Sequence, residues 1–156
     1  MTPAAQEPGG PSIAAPRRKA LGVDLGERRI GLAVSDSGGA LAFPLCVIDR
    51  ERDQAATHKR LAAVALEQEV VTVVVGLPLS LDGTYGPAAL SAAAEADRLA
   101  AVLAPIPVIT FDERLTTVSA AAGQRASGKR ARAGRATIDS AAAAVLLQAW
   151  LDASHQ

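Results

Sequence analysis

Four acidic side chains stand where apolar stretches of the chain end or begin: Asp24 in "GVDLG", Asp112 and Glu113 in "FDER", and Asp139 in "TIDSA". Carboxylates brought to one place repel one another unless something compensates them, and one is then forced to protonate. A divalent cation resolves that conflict. Mg²⁺ is a hard ion held by one or two carboxylates together with phosphate oxygens and water. Two such ions about 3.5–4 Å apart activate an attacking water and stabilise the leaving oxygen in phosphodiester cleavage. Each acid also has a simpler reading. Asp24 suits an Asx turn before Gly26; Asp139 suits a helix first turn, where the dipole favours an acid by ~0.3–1 kcal/mol; Asp112 and Glu113 suit surface pairing with Arg114. Singly these readings suffice, but together they leave four acids crowded at one edge.

That crowding depends on the elements that carry the acids. "KALGVDLG" reads as a strand buried on both faces, "RRIGLAVSD" as a second, and "GALAFPLCVID", after Ser37, Gly38 and Gly39, as a third. Links this short make the three antiparallel neighbours, and Pro44 marks the third as an edge strand or a bulge. "RDQAATHKRLAAVALEQE" has helical spacing, with Leu61, Val64 and Ala65 on one face. "VVTVVVGLP" is the strongest strand signal, and an Asp82-Gly83 turn leads to a helix with Pro87 near N1. Its stripe is Ala92, Ala96, Leu99, Val102 and Leu103. "IPVITFDE" is a fifth strand, and a short helix is expected from Thr116. After "ASGKRARAGRAT", the last helix shows Ile138, Ala142, Val145 and Ala149 on one side, with Asp139 sharing a face with Ala142, Ala143 and Leu146. The order βββ-α-β-α-β-α-α predicts an α/β fold, a mixed five-stranded sheet with helices on both faces. If strands one and five run parallel, Asp24 and the Asp112-Glu113 pair end at the same edge, where open α/β sheets take ligands.

At 156 residues the chain is about one domain, and 49% hydrophobic residues suffice for a core, although only 3% are aromatic. Formal net charge is zero, yet residues 111–138 carry Arg114, Arg125, Lys129, Arg130, Arg132 and Arg135 against only Asp112 and Glu113. Arg28 and Arg29 follow Asp24. Such basic stretches grip phosphates without reading sequence, and a solvated Ala/Gly/Arg loop fits the composition equally well. Cys46 is the single cysteine, which excludes an intrachain disulfide or a cysteine-based zinc site and suits a reducing, cytoplasmic setting; its neighbours suggest a buried strand thiol. No apolar run approaches the ~18–20 residues that cross a bilayer. Residues 1–18 lack the apolar core of a signal peptide and read as a disordered tail, leaving residues 19–153 as the folded domain. His58 and His155, on a helix and a tail away from the acids, read as solvated imidazoles, so no histidine is placed as a general base.

"GVDLGERRIGLAVSD", "VVVGLPLSLDGTYGP", "FDERLTT" and "IDSAAAAVLLQAWLD" resemble, in order and spacing, the YqgF/RuvX family of the RNase H-like superfamily, relatives of the RuvC Holliday-junction resolvases. The resemblance spans residues 19–151. It implies an RNase H-like fold and an Mg²⁺- or Mn²⁺-dependent nuclease with a two-ion site, acting in 5′-end maturation of pre-16S rRNA. The alternative is Holliday-junction resolution on branched DNA by a dimer. Carried over by motif, Asp24, Glu113 and Asp139 match the family's metal ligands, with Asp112 a further catalytic candidate beside Glu113. Arg29, Arg114, Thr116 and Lys129 fall at positions expected to contact the nucleic-acid backbone, and Arg28, Arg130 and Arg132 extend that set. The implied partner is nucleic acid rather than a membrane, with the chain a monomer or homodimer. Glu27, just past the glycine of "DLG", departs from the family pattern. "DLGERRIG" is also similar to the phosphate-binding hairpin of sugar kinases and actin-like ATPases, but those enclose ATP between two domains. An inert nucleic-acid-binding module is the remaining alternative, and the presence of every carboxylate argues against it.

Overall fold

Among the described residues, five strands form one sheet in the order β3-β2-β1-β4-β5. The structure, a computed structural model, describes residues 19–116 and 135–154. Along the chain run β1 (Ala20–Leu25), β2 (Arg29–Ser35), β3 (Ala42–Asp49), α1 (Gln54–Glu67), β4 (Thr72–Leu77), α2 (Pro87–Leu103), β5 (Val108–Asp112), a 3₁₀ turn (Glu113–Thr116) and α3 (Arg135–Ser154). β1, β2 and β3 pair antiparallel, whereas β1–β4 and β4–β5 pair parallel. β1 and β5 therefore run the same way, and Asp24 and Asp112 reach the same edge, as expected from the short and long connections.

Alternation along the strands divides the core into two. Leu21, Val23, Ile30, Leu32, Val73 and Val75 face α1 and α2, where Leu61, Ala65, Ala96, Leu99 and Leu103 complete the larger cluster. Ala20, Ala33 and Val74 face the other way, onto Ala143, Leu147 and Leu151 of α3. Helices thus cover both faces. Two-residue periodicity puts Gly22 and Asp24 of β1 and Gly31 of β2 on the α3 side, and register pairs Asp24 directly with Gly31. β3 is an edge strand, and it is also bulged: Leu32 pairs with Cys46 and Ala33 with Pro44, leaving Leu45 unmatched. Pro44 forecast both. Cys46 is half-buried against the larger cluster, and burial pushes its thiol upward, with Glu67 adding to the rise and Arg60 opposing it.

Several expectations need correction. His58 is not solvated: it is 2% exposed and bonded to Glu95. The fully buried residues of α1 are Thr57, His58, Leu61 and Ala65, with Val64 partly buried against the same cluster as expected, so two polar residues join the apolar stripe. On α2, Val102 is 46% exposed and Glu95 is buried instead. On α3, Ile138 and Ala142 are exposed, and the core face is Ala143, Leu146, Leu147 and Leu151. A helix rich in alanine is nearly as apolar on one side as another, so the position of its leucines decides which face packs. The tail at residues 1–18, the helix expected beyond Thr116, Arg125, Lys129, Arg130, Arg132 and His155 lie outside the described residues.

Candidate active site

β1 delivers Asp24 one residue before the strand ends, and the hairpin turns at once, with the Gly26 N–H donating to the Arg29 carbonyl at 3.0 Å. Across the ladder Gly31 carries no side chain, and the first turn of α3 fills the space. A Cβ at Gly31 would lie 2.6 Å from the Asp139 carbonyl carbon and 3.2 Å from the Ser140 nitrogen. This close approach sets Asp139 over β2, beside Asp24. Arg29 Nε donates to Asp139 Oδ2 at 3.1 Å. Burial pushes the Asp24 carboxyl above its ordinary value, and the Asp139 charge pushes it further.

Glu113 arrives from the other side. It is the first residue after β5, in the 3₁₀ turn, and its side chain lies across β4 over Gly76. A Cβ there would stand 2.9 Å from both Glu113 Cγ and Oε2. Burial raises the Glu113 carboxyl, with the charges of Asp24 and then Asp112 adding to it. Asp24 is therefore the middle member of a line of acids, coupled to Asp139 on one flank and Glu113 on the other. Asp112 behaves differently. The Arg114 guanidinium holds its carboxyl below the usual range, Nε donating to Oδ1 at 3.0 Å and to Oδ2 at 2.9 Å. The simple reading of that acid, pairing with Arg114, is the one the structure displays.

A family model described as "RuvX: Holliday junction resolvase" matches residues 18–153. The chain belongs to the RuvX family. Curated relatives named "Putative pre-16S rRNA nuclease" include one from Streptomyces avermitilis, 47% identical over 139 residues, covering 89% of this chain and 88% of the relative. Another, from Mycobacterium ulcerans, is 50% identical over 149 residues, covering 93% of this chain and 86% of the relative. Among solved structures, Thermus thermophilus RuvC in complex with a Holliday junction substrate superposes with a TM-score of 0.59 at 18% identity, over 89% of this chain and 96% of that one. The same protein in a second structure gives a TM-score of 0.56 at 19% identity, over 88% and 96%. The RuvC likeness establishes the shared RNase H-like fold.

The basic residues expected around this RuvX-family site divide into distinct places. Arg28 and Glu27 are exposed at the tip of the β1–β2 turn. Arg29 is tied to Asp139, and Arg114, besides Asp112, donates Nη1 to the Leu81 carbonyl at 3.1 Å. Arg114 thereby braces the β4–α2 loop, whose turn has Gly83 at φ +88° and an Asp82 carboxylate accepting from the Thr84 amide. Thr116 closes the 3₁₀ turn. The placing of Gly31 and Gly76 was missed from sequence, although a lone glycine inside a strand signals close approach of another group. Also missed was a buried ionic cluster, Arg50–Glu95–His58, for which no spacing in the sequence gives a signal.

The donor set suits a divalent metal by its chemistry: hard carboxylate oxygens, like-charged neighbours, and in Asp24 an acid that burial alone makes costly to ionise. Among the described residues no three acids, histidines or cysteines already stand close enough to enclose one ion. Asp139 is held by Arg29 instead. Among the described residues, no helix is long and apolar enough to cross a membrane.

Proposed function

We propose that the chain hydrolyses phosphodiester bonds in nucleic acid, acting in maturation of the 5′ end of pre-16S rRNA. The observation that carries this reading is the line Glu113–Asp24–Asp139, drawn from three distant segments to one sheet edge by the two glycines over which its flanks lie. The names of the curated relatives support rRNA as the substrate. Asp24, Glu113 and Asp139 would hold Mg²⁺ or Mn²⁺, with Asp112 as the outer acid set by Arg114. When bound, such ions lower the pKa of water and neutralise charge on the phosphoryl oxygens. Asp24, half-buried between the other two, would be the central ligand. Arg29, beside Asp139, contacts the scissile phosphate. Arg28, exposed on the β1–β2 turn, contacts the backbone outside it, and Arg114, Thr116, Lys129, Arg130 and Arg132 are further candidates for phosphate contacts that read no bases. A ribosomal precursor as substrate places the chain in the cytoplasm, with no membrane partner.

Resolution of four-way junctions is the second reading, favoured by the description of the family model. It requires a two-fold dimer with two suitably spaced sites, whereas RNA maturation is open to a monomer. One preparation assayed on pre-16S leader RNA and on a mobile four-way junction, with Mg²⁺, Mn²⁺ or chelator, separates the two. Cleavage of the leader alone, lost in Asp24→Asn while nucleic-acid binding persists, is the expected result. Cleavage of the junction alone would replace the RNA reading, and cleavage surviving Asp24→Asn would overturn the assigned site.

A further inference from the structure

Arg50, Glu95 and His58 meet on the face of the sheet opposite the acids, and the cleavage chemistry uses none of them. Arg50 follows β3, Glu95 belongs to α2 and His58 to α1. Arg50 Nη1 and Nη2 donate to the two Glu95 oxygens at 2.9 and 2.8 Å, and His58 Nε2 lies 2.7 Å from Glu95 Oε2. Glu95 is 5% exposed and His58 2%, so both sit where leucine would pack. Ionic groups in such places are often no more stabilising than apolar ones of the same volume, and their attested benefit is a fixed arrangement. The third arm of Arg50 shows what is fixed here. Its Nε donates to the Gly26 carbonyl at 2.8 Å, and the Arg50 amide donates to the Arg28 carbonyl at 2.9 Å. Both acceptors lie in the β1–β2 turn, between Asp24 and Arg29.

We infer that Arg50, Glu95 and His58 are positioning residues: Glu95, braced by His58, locks the Arg50 fork, and Arg50 holds the turn at residues 26–29 so that Asp24 and Arg29 are presented to the substrate. The inference rests on the nuclease reading for its consequence, not for its mechanics. A guanidinium has donors in a rigid fork that reach a carbonyl and both oxygens of a carboxylate at once; an ammonium is a single point. Arg50→Lys therefore keeps the charge and the main-chain bond to Arg28 but gives up the side-chain hold on the Gly26 carbonyl. His58→Gln keeps a donor near the Nε2 position, and His58→Leu removes it.

Hydrogen exchange on the full chain reads this without any substrate. In Arg50→Lys, exchange at residues 26–29 is expected to quicken by about tenfold while β4 exchanges as in the wild type, a local opening rather than a global one. On a substrate that the wild type cuts, kcat is expected to fall about 10- to 100-fold, as for displaced reacting groups, with a smaller rise in KM because Arg28 and Arg29 ride on the same turn. His58→Leu should move in the same direction, and His58→Gln should restore both readouts. Unchanged exchange at the turn overturns the inference. So does quickening of β4 in step with the turn, or a His58→Gln variant as impaired as His58→Leu. Wild-type protein that cuts neither leader RNA nor junction DNA overturns the nuclease reading and the catalytic consequence with it, while exchange still decides whether the cluster holds the turn.

Discussion

Replacing Gly31 by alanine tests whether the approach of α3 to β2 sets the site. A Cβ at Gly31 stands 2.6 Å from the Asp139 carbonyl carbon, whereas ordinary contact begins at 3.4 Å, so the helix start must withdraw by about 0.8 Å or more. The obstacle is backbone, not the movable end of a side chain, and Asp139 travels with it. Overpacking of this kind costs typically about 1–3 kcal/mol. At this chain length that lowers Tm by roughly 2–12 °C, which leaves the protein folded at 25 °C. Displacement of a reacting group by about 1 Å can reduce turnover on the order of 100-fold. The loss in kcat should therefore far exceed what partial unfolding explains. Gly38→Ala is the control, because a Cβ there meets nothing within 4 Å. The assay is multiple-turnover cleavage at 25 °C alongside thermal melts of both variants. Gly31→Ala protein retaining kcat within about threefold of wild type would refute the reasoning, since the acid would then not need the place that this approach gives it.

Asp24→Asn should abolish cleavage and stabilise the protein at neutral pH. The Asp24 carboxyl is raised above 3.8 in the fold, so the folded state holds its proton more tightly, and stability is lost as pH rises through the raised value. The gain in Tm should accordingly be larger at pH 7 than at pH 4; a gain equal at both would contradict the shift. Millimolar Mn²⁺ should raise the wild-type Tm at pH 7 and chelator should reverse it, with little response from Glu113→Gln, because a ligand of the native state stabilises by mass action; equal responses would remove Glu113 from the ligand set. Gly76→Ala places a Cβ 2.9 Å from Glu113 Cγ and Oε2; since a flexible side chain yields more easily than backbone, kcat should fall about tenfold with Tm changing little, and a melt shifted as far as that of Gly31→Ala would argue against this.

The strands were legible because each is a short apolar run between turn residues, and Pro44 carried enough information to place β3 at an edge and to flag its bulge. The acids were legible as a group because strand order alone brings Asp24 and Glu113 together and helical spacing turns Asp139 inward. What stayed hidden depends on tertiary pairing. His58 reads as a surface residue until Glu95, on another helix, supplies its partner. Glu95 in turn has no signal of its own until Arg50 arrives from the end of β3. Apolar periodicity excludes such residues from the core by construction. The packed face of α3 was hidden for another reason: alanines on every side flatten the periodicity, and two glycines in the sheet, Gly22 and Gly31, choose the side by admitting the backbone of α3. A Cβ at Gly22 would stand 2.8 Å from Leu147 Cβ and 3.0 Å from the Ala143 carbonyl.

The Leu45 bulge and Pro44 also govern how molecules of this protein meet in a crowded solution. An edge strand offers a row of free donors and acceptors to any other chain, and apolar side chains beside it invite adhesion. β3 has that hazard in Phe43, 49% exposed, and in Leu41 just before the strand, 55% exposed. Yet Pro44 brings no N–H to the row, and the unmatched residue shifts the spacing of the remainder. A strand from a second molecule would find only broken stretches to pair with. Pro44 thus guards against sheet-to-sheet aggregation, and a change such as Pro44→Val, harmless to the core, should be felt first as lost solubility.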